Sequence, residues 1–401
     1  MKKLYHILLS MILLVTVVAC DVHEFPADRG ELVPFTLHLD FDTEMPLYEV
    51  IPYETRSVGS VEDVKGYTHD VRYIINVYRD ESAYGQNRYL DTTFVFTKSD
   101  LYDLNYTAHL ELHEGAYIFR VWADYVTPGT VTDKYYNTSN FADIMLTNRE
   151  NHAGSNDYRD AFRGEVRASV YNTKEFTPGA AAEIDNSATV PMDRPMGKYV
   201  FISTDLNEFI TRVLDMMREK GELPEEDDNG KGNAPSNEQG EQGEQGEQNE
   251  QGEQGDQGEQ GEQGLKGVNL DDFTIEFVYM SNMISSYNLF EDCAADVWGG
   301  VRFKSKMRQV GSGEVEIGFD YVFVNGDQTK FSVVALVYDK DNELLSQSEP
   351  VAVTLMRSQL TEVRGKFLTS EAKGGVSIDP GYAGDDIDVF IDDNNNSNVL
   401  N

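Results

Sequence analysis

Hydrophobic and polar residues alternate over much of this chain. Phe35-Thr36-Leu37-His38-Leu39-Asp40-Phe41 has an apolar side chain at every second position, as expected of a strand with one buried face. The same period, enriched in β-branched and aromatic residues, predicts strands over 71–78, 92–96, 106–112, 117–125, 165–171 and 198–203. It resumes over 273–279, 301–310, 314–324, 330–338, 351–355 and 360–368, with turns at Glu114-Gly115, Asn325-Gly326 and 339–342. One segment has a helical period instead. Over 205–220, Leu206, Phe209, Ile210, Val213, Leu214 and Met217 share a single face. Thr204 or Asp205 is placed to cap its start, Glu208 to complete a capping box, and Gly221 to close its end. Short antiparallel strands with one long helix predict an all-β fold made of β-sandwich domains.

The alternation vanishes between 238 and 264, where nine triplets, mostly Glu-Gln-Gly, deviate only at Asn249 and Asp256. From Gly221 to Gly264 there are 14 acidic residues and one lysine. With almost nothing to bury, this stretch is expected to be disordered and extended by self-repulsion. Glycine at every third position resembles collagen, but the triplets contain no proline. A fold tolerates such an expansion, because closing a loop costs only about 0.6 kcal/mol more per doubling of its length. The segment 221–267 therefore reads as an insert within one domain. The stretch Thr177-Pro178-Gly179-Ala180-Ala181-Ala182 reads as the inter-domain joint, giving an N-terminal sandwich at 31–176 and a C-terminal one at 184–401.

The N-terminus carries a different pattern. Lys2 and Lys3 precede an apolar run over 4–19, which ends Val17-Val18-Ala19-Cys20. This order suits a secretion signal with a lipobox: the basic start stays inside, the apolar run enters the membrane, and small residues precede a cysteine. Sixteen residues interrupted by His6, Ser10 and Thr16 fall short of the roughly 20 that span a bilayer. Residues 1–19 are thus read as a signal peptide, 20–30 as a tether, and the Cys20 thiol as the site of lipid attachment.

Charge and chemistry narrow the classes further. The formal net charge is −37, and loss of Lys2 and Lys3 makes it two units more negative. Attraction to nucleic acid or to an anionic bilayer is excluded on that ground. With Cys20 lipidated, Cys293 has no intrachain partner, and its acidic neighbours Glu291 and Asp292 disfavour a thiolate. His109 and His113 lie four apart in an apparent strand and turn, which suits a surface pair better than a metal site. The acidic tail over 379–393 lacks the glycine-punctuated spacing of a calcium loop. No metal, cofactor or catalytic set is expected, since zinc-protease, nucleophile-elbow and phosphate-loop motifs are all missing from the sequence. Among many aromatic residues, Tyr135, Tyr136 and Trp298 are candidates for a carbohydrate platform, and Trp122 or Trp298 would report on it.

Three motifs carry a family likeness. The opening Cys20-Asp21-Val22-His23-Glu24-Phe25-Pro26, the strand-turn-strand Leu110-Glu111-Leu112-His113-Glu114-Gly115-Ala116-Tyr117 and the closing Leu360-Thr361-Glu362-Val363-Arg364-Gly365-Lys366-Phe367-Leu368-Thr369 resemble fimbrillin-type lipoproteins of the Bacteroidetes. The minor-fimbrium anchor family and a related uncharacterised domain family are the nearest in style. Arg194-Pro195-Met196-Gly197-Lys198 is similar to the arginine-led strand that opens their second domain. The resemblance covers most of the chain apart from the triplets. It implies two tandem transthyretin-like β-sandwich domains and a place in surface fimbriae as anchor, tip or stalk subunit, with fimbrial subunits as partners by strand addition. Segment 35–41 then either stays as an edge strand of its own domain or is removed by cleavage after Arg56, which opens a groove. Ile387-Asp388-Val389-Phe390-Ile391 is either a last strand or a donor. Asp21 and Glu24 resemble export signals to the cell surface. The expected role is a non-enzymatic, lipid-anchored outer-membrane protein acting as fimbrial anchor or accessory adhesion subunit. A carbohydrate- or nutrient-binding surface lipoprotein is the alternative.

Overall fold

The computed structural model describes residues 30–53, 68–80, 89–175, 185–221 and 268–370. Cys20, Arg56, the triplets and 387–391 lie outside these residues. The period-two stretch becomes β1 (Leu32–Phe41), with Val33, Phe35, Leu37 and Leu39 buried and His38 and Asp40 exposed. β1 pairs in parallel with β10 (Ser187–Met192) and antiparallel with β5 (Tyr106–His113). The facing sheet runs in the order β4 (Leu90–Lys98), β3 (Asp70–Arg79), β6 (Gly115–Val126), β9 (Phe162–Val170). Phe35 stacks on Phe119 across the gap at 5.1 Å, and Tyr73 and Tyr117 are fully buried beside them. These two sheets form a sandwich with its own core.

Two expectations change here. Segment 35–41 is not an edge strand: both its sides are hydrogen-bonded, because β10 supplies a partner that the pattern did not reveal. The joint at 177–182 does not mark where the chain leaves the first sandwich, since the strand just beyond 184 is β10, which completes that sandwich.

The second sandwich has a mixed sheet in the order β16 (Arg308–Gly311), β17 (Glu314–Phe323), β11 (Met196–Ser203), β21 (Leu360–Gly365), β2 (Leu47–Tyr53). It faces β15 (Arg302–Ser305), β12 (Thr274–Tyr279), β18 (Gln328–Tyr338) and β19 (Leu344–Gln347), with β20 (Val351–Met356) also paired to β18. Phe201 meets Phe277 edge-on at 5.2 Å. Gly318 permits the approach, because a Cβ there would lie 2.3 Å from the Phe277 ring. The helix α1 (Leu206–Glu219) closes this core through Leu206, Phe209, Ile210 and Val213. Phe209 and Phe273, on either side of the triplet insert, pack at 4.9 Å, so the helix before it and the strand after it share one core. Capping differs from expectation. The Asp205 carboxylate accepts from the Thr369 backbone N–H at 2.9 Å and hydroxyl at 2.7 Å rather than from the helix, and Glu208 pairs with Lys366 at 2.8 Å. Gly221 takes the left-handed conformation at φ +74°, as a C-cap glycine should.

The halves interlock. β2 crosses to the edge of the second sandwich, where it runs parallel to β21. A further sheet takes β7 (Tyr136–Asn137) and β8 (Ile144–Leu146) from the first half and β13 (Met283–Asn288) and β14 (Cys293–Trp298) from the second, in the order β14-β13-β8-β7. Trp122, on the outer face of β6, packs against Tyr136 at 5.4 Å and Phe323 at 6.5 Å.

Buried ions fasten the junction. The Arg159 guanidinium pairs with the Asp320 carboxylate and donates to the Tyr321 carbonyl at 3.1 Å. His152 Nε2 lies 2.7 Å from Asp320 Oδ2 and from Arg159 Nη1. Tyr279 donates to Asp320 Oδ2 at 2.8 Å and accepts from Tyr199 at 3.0 Å. Beside this network, Arg194 pairs with Asp160 at 2.8 Å and donates to the carbonyls of Thr43 and Glu44, pinning the crossing from β1 to β2. Burial alone would raise the Asp320 pKa, but Arg159 and His152 hold it below the usual carboxylate range. Burial, seconded by Arg159, pushes His152 below its ordinary 6.5.

Asp320→Asn should destabilise the protein by about 3–5 kcal/mol in urea unfolding, because it leaves the Arg159 charge buried without its partner. Acidification supplies a second check. His69, packed at 3.7 Å on the Tyr158 ring, is lowered to about 4, first by burial and then by Lys134. The unfolded chain takes up protons below about pH 6.5 that folded His69 and His152 refuse, so both contributions fall as pH falls. The loss of stability between about pH 7 and 5 should therefore be smaller in His69→Gln than in wild type, read as the difference between their melting curves.

Candidate assembly edges

Among the described residues, β4 pairs only with β3, and β5 only with β1. These two edges are consecutive in the chain and border the same open side of the first sandwich. The opposite side is closed, because the backbones of Arg163 on β9 and Asp193 just after β10 exchange hydrogen bonds at 2.8 and 3.0 Å. Residues 99–105 join β4 to β5 and bury Leu101 and Leu104. A row of rings lines the open side, with Phe94 to Phe96 at 6.5 Å, Phe96 to Tyr106 at 5.5 Å and Tyr106 to Tyr73 at 4.7 Å.

β4 has the chemistry of an accepting edge. From Thr92 to Thr97 it carries no charge and only threonine, phenylalanine and valine. Its charges sit at the ends, where Asp91 pairs with Arg79 at 3.1 Å and Lys98 reaches the carbonyl of Asp103. Val95 is 41% exposed. An uncharged strand of high β-propensity at a sheet edge presents main-chain donors and acceptors to any extended segment laid beside it.

The residues singled out by sequence fall as follows. Cys20 and Arg56 lie outside the described residues. Among the described residues, no three His, Cys, Asp or Glu side chains are grouped to hold a metal. His109 is exposed on the outer face of β5, and His113 is half-buried at its end. Cys293 is half-buried, and burial with Glu291 and Asp292 pushes its thiol pKa up. Tyr136 and Trp122 are fully buried, Tyr135 is bonded to His69 at 3.0 Å, and Trp298 lies on β14, at the opposite edge of its sheet from Tyr136 on β7. The three aromatic candidates therefore form no common platform. A cavity of about 140 Å³ opens beside the two ends of the insert, with Val213, Met216, Met217, Phe273 and Leu345 as its apolar wall. Sequence reasoning missed the β4 edge as a site, although its uncharged run was legible. It also missed Arg159 and Asp320, whose pairing across 161 positions leaves no local signal.

The profile of a family of unknown function (DUF6562) matches residues 21–400. Similar solved structures include the fimbrial anchor protein Mfa2 from Porphyromonas gingivalis, with 8% identity over 79% of this chain and 82% of that one at a TM-score of 0.33. A candidate adhesin from Bacteroides thetaiotaomicron shows 13% identity over 80% and 81% at 0.36, and a candidate cell adhesion protein from Bacteroides ovatus 11% over 84% and 93% at 0.37. No curated protein matches the chain. The β-rich fold class read from the sequence is met in the chain's own strands and sheets.

The burial of Trp122 gives a simple optical check. Acrylamide should quench Trp298 and leave Trp122 emission intact, and Trp298→Phe should abolish the quenchable fraction. A glycan that alters emission in wild type but not in Trp298→Phe would revive the carbohydrate-binding alternative.

Proposed function

The chain belongs to a family of unknown function (DUF6562), and from that premise we propose that it is a non-enzymatic lipoprotein of the outer membrane. It is held through a thioether at Cys20, displayed at the cell surface, and serves as a fimbrial anchor or accessory adhesion subunit. Its open edge at β4 takes up an extended segment of a neighbouring subunit by strand addition.

The placement of β1 carries this reading. The tether leads straight into the central strand of a sheet, and cleavage after Arg56 would take away β1 and β2 together. Val33, Phe35, Leu37 and Leu39 are all nearly inaccessible to solvent. Burying such a side chain stabilises by about 1.5–3 kcal/mol, so the four together contribute roughly 6–12 kcal/mol. That is comparable with the entire stability of a domain, about 5–15 kcal/mol. Loss of the strand with no replacement would unfold the first sandwich. A chain that keeps β1 also keeps its lipid, which supports an anchor over a polymerising stalk subunit. The aromatic candidates for sugar binding give no comparable support to the alternative.

Metabolic palmitate labelling should mark the wild-type protein and leave Cys20→Ala unmarked. Mass spectrometry of the native mature N-terminus should find acylated Cys20. An unlabelled wild-type protein overturns the lipid tether, and a free start at Ser57 overturns the anchor role in favour of a polymerising subunit.

A further inference from the structure

We propose that the end of the first sandwich at which the chain arrives is a lipid-facing collar, with Leu32, Tyr89, Leu90 and Tyr171 resting in the interfacial layer of the membrane; this rests on the Cys20 tether above. Strand registers bring the four residues to one end. Leu32 begins β1 opposite His113, and the next hairpin turns at Glu114-Gly115. Gly115 is opposite Val170, and Tyr171 follows directly. Tyr78 and Arg79, at the end of β3, lie beside Leu90 and Tyr89. Their exposures are 52% for Leu32, 57% for Tyr89, 46% for Leu90 and 43% for Tyr171. The other large exposed apolar residues, such as Tyr102, Val131, Met280 and Leu344, lie elsewhere.

The electrostatics of this end suit a lipid surface. In a chain of net charge −37, its bases are matched by acids, with Lys174 paired to Glu31, Arg79 to Asp91 at 3.1 Å and Arg167 to Asp80 at 3.3 Å, and Glu114 at the hairpin turn is a further exposed acid. Paired charges reduce repulsion from an anionic headgroup layer, and tyrosine and leucine are at home at that depth. The tether fixes the occupant. Gly30 lies ten residue steps beyond Cys20, and a chain spans at most about 3.6 Å per residue, so this end stays within roughly 36 Å of the lipid. A tether of that reach can hold the protein clear of the surface or let it settle. Because tethering makes the contact intramolecular, even a modest apolar collar is enough to settle it. The chain enters the second sandwich past the other end of β1, where Arg194 holds Thr43 and Glu44, while the β13–β14 turn of the second half packs back on Tyr78 through Phe290 at 5.4 Å.

The test uses full-length acylated protein in phosphatidylcholine vesicles with brominated acyl chains. Tyr171→Trp should lose about half its added emission relative to unbrominated vesicles, as expected of a ring at interfacial depth. Tyr102→Trp, beyond the far end of β4 and 79% exposed, should lose none. Adding Leu90→Glu to Tyr171→Trp should restore the emission. Vesicle-bound protein in which both tryptophans respond alike overturns the collar and leaves the tether standing. Protein that neither incorporates palmitate nor floats with the vesicles overturns the tether, and the collar with it.

Discussion

The ion pair between Arg159 and Asp320 is the constraint on which the rest of the molecule depends. Two charges removed from water are costly unless every donor and acceptor is satisfied. Here the carboxylate receives Arg159, His152 and Tyr279, and the backbone N–H of Tyr321 at 2.8 Å. Arg159 comes from the segment just before β9 and Asp320 from β17, so the satisfied set exists only when the halves are docked in one register. An apolar junction of equal area would tolerate sliding. Arg194 with Asp160 adds a second fixed point nearby, and its bonds to Thr43 and Glu44 decide where β2 departs.

The interlocking of strands follows from that docking. β2 can lie beside β21 because Arg194 holds the preceding turn, and β8 can lie beside β13 because Tyr136 and Trp122 already pack on Phe323. An interface between separate domains in one chain is commonly small and polar, and allows relative motion. This one shares a sheet, an apolar core and buried ions, which argues for a single stiff body carrying load from one end to the other.

Sequence pattern revealed β1 and β5 by alternation, since they bury one face and expose the other, and β3, β6 and β17, buried on both faces, by their runs of β-branched and aromatic residues. These strands and β18 all stand where the pattern puts them, and α1 matches its helical stripe within a residue at each end. The strands it missed break the pattern for physical reasons. β13 is buried on both faces yet includes Ser285 and Ser286, so its polarity hides its position. β14 is only partly covered on either face, and β7 is two residues long. β10 ends Pro191-Met192, with a proline where a ladder donor would be expected. Asp205 looks like a helix cap and holds the 367–369 segment instead, because tertiary hydrogen bonds outcompeted local ones. The buried charges were illegible in principle: an acidic chain makes solvation the default reading of any carboxylate, and only the fold shows which ones leave water.

The central position of β1 also has a mechanical consequence for a tethered protein. If tension enters at Cys20 and leaves through the second sandwich, it runs along the strand axis. β1 is then loaded against β10 over six register pairs and against β5 over eight. A strand drawn along its axis must break its ladder bonds together, whereas an edge strand peeled sideways loses them one at a time. Survival under force depends on the unfolding rate rather than on the equilibrium stability. A middle strand flanked on both sides suits that demand better than the edge strand expected from the sequence. The parallel pairing with β10 adds to this, because β10 leads within a few residues to Arg194 and β11, handing the load to the second sandwich through covalent chain rather than through surface contacts.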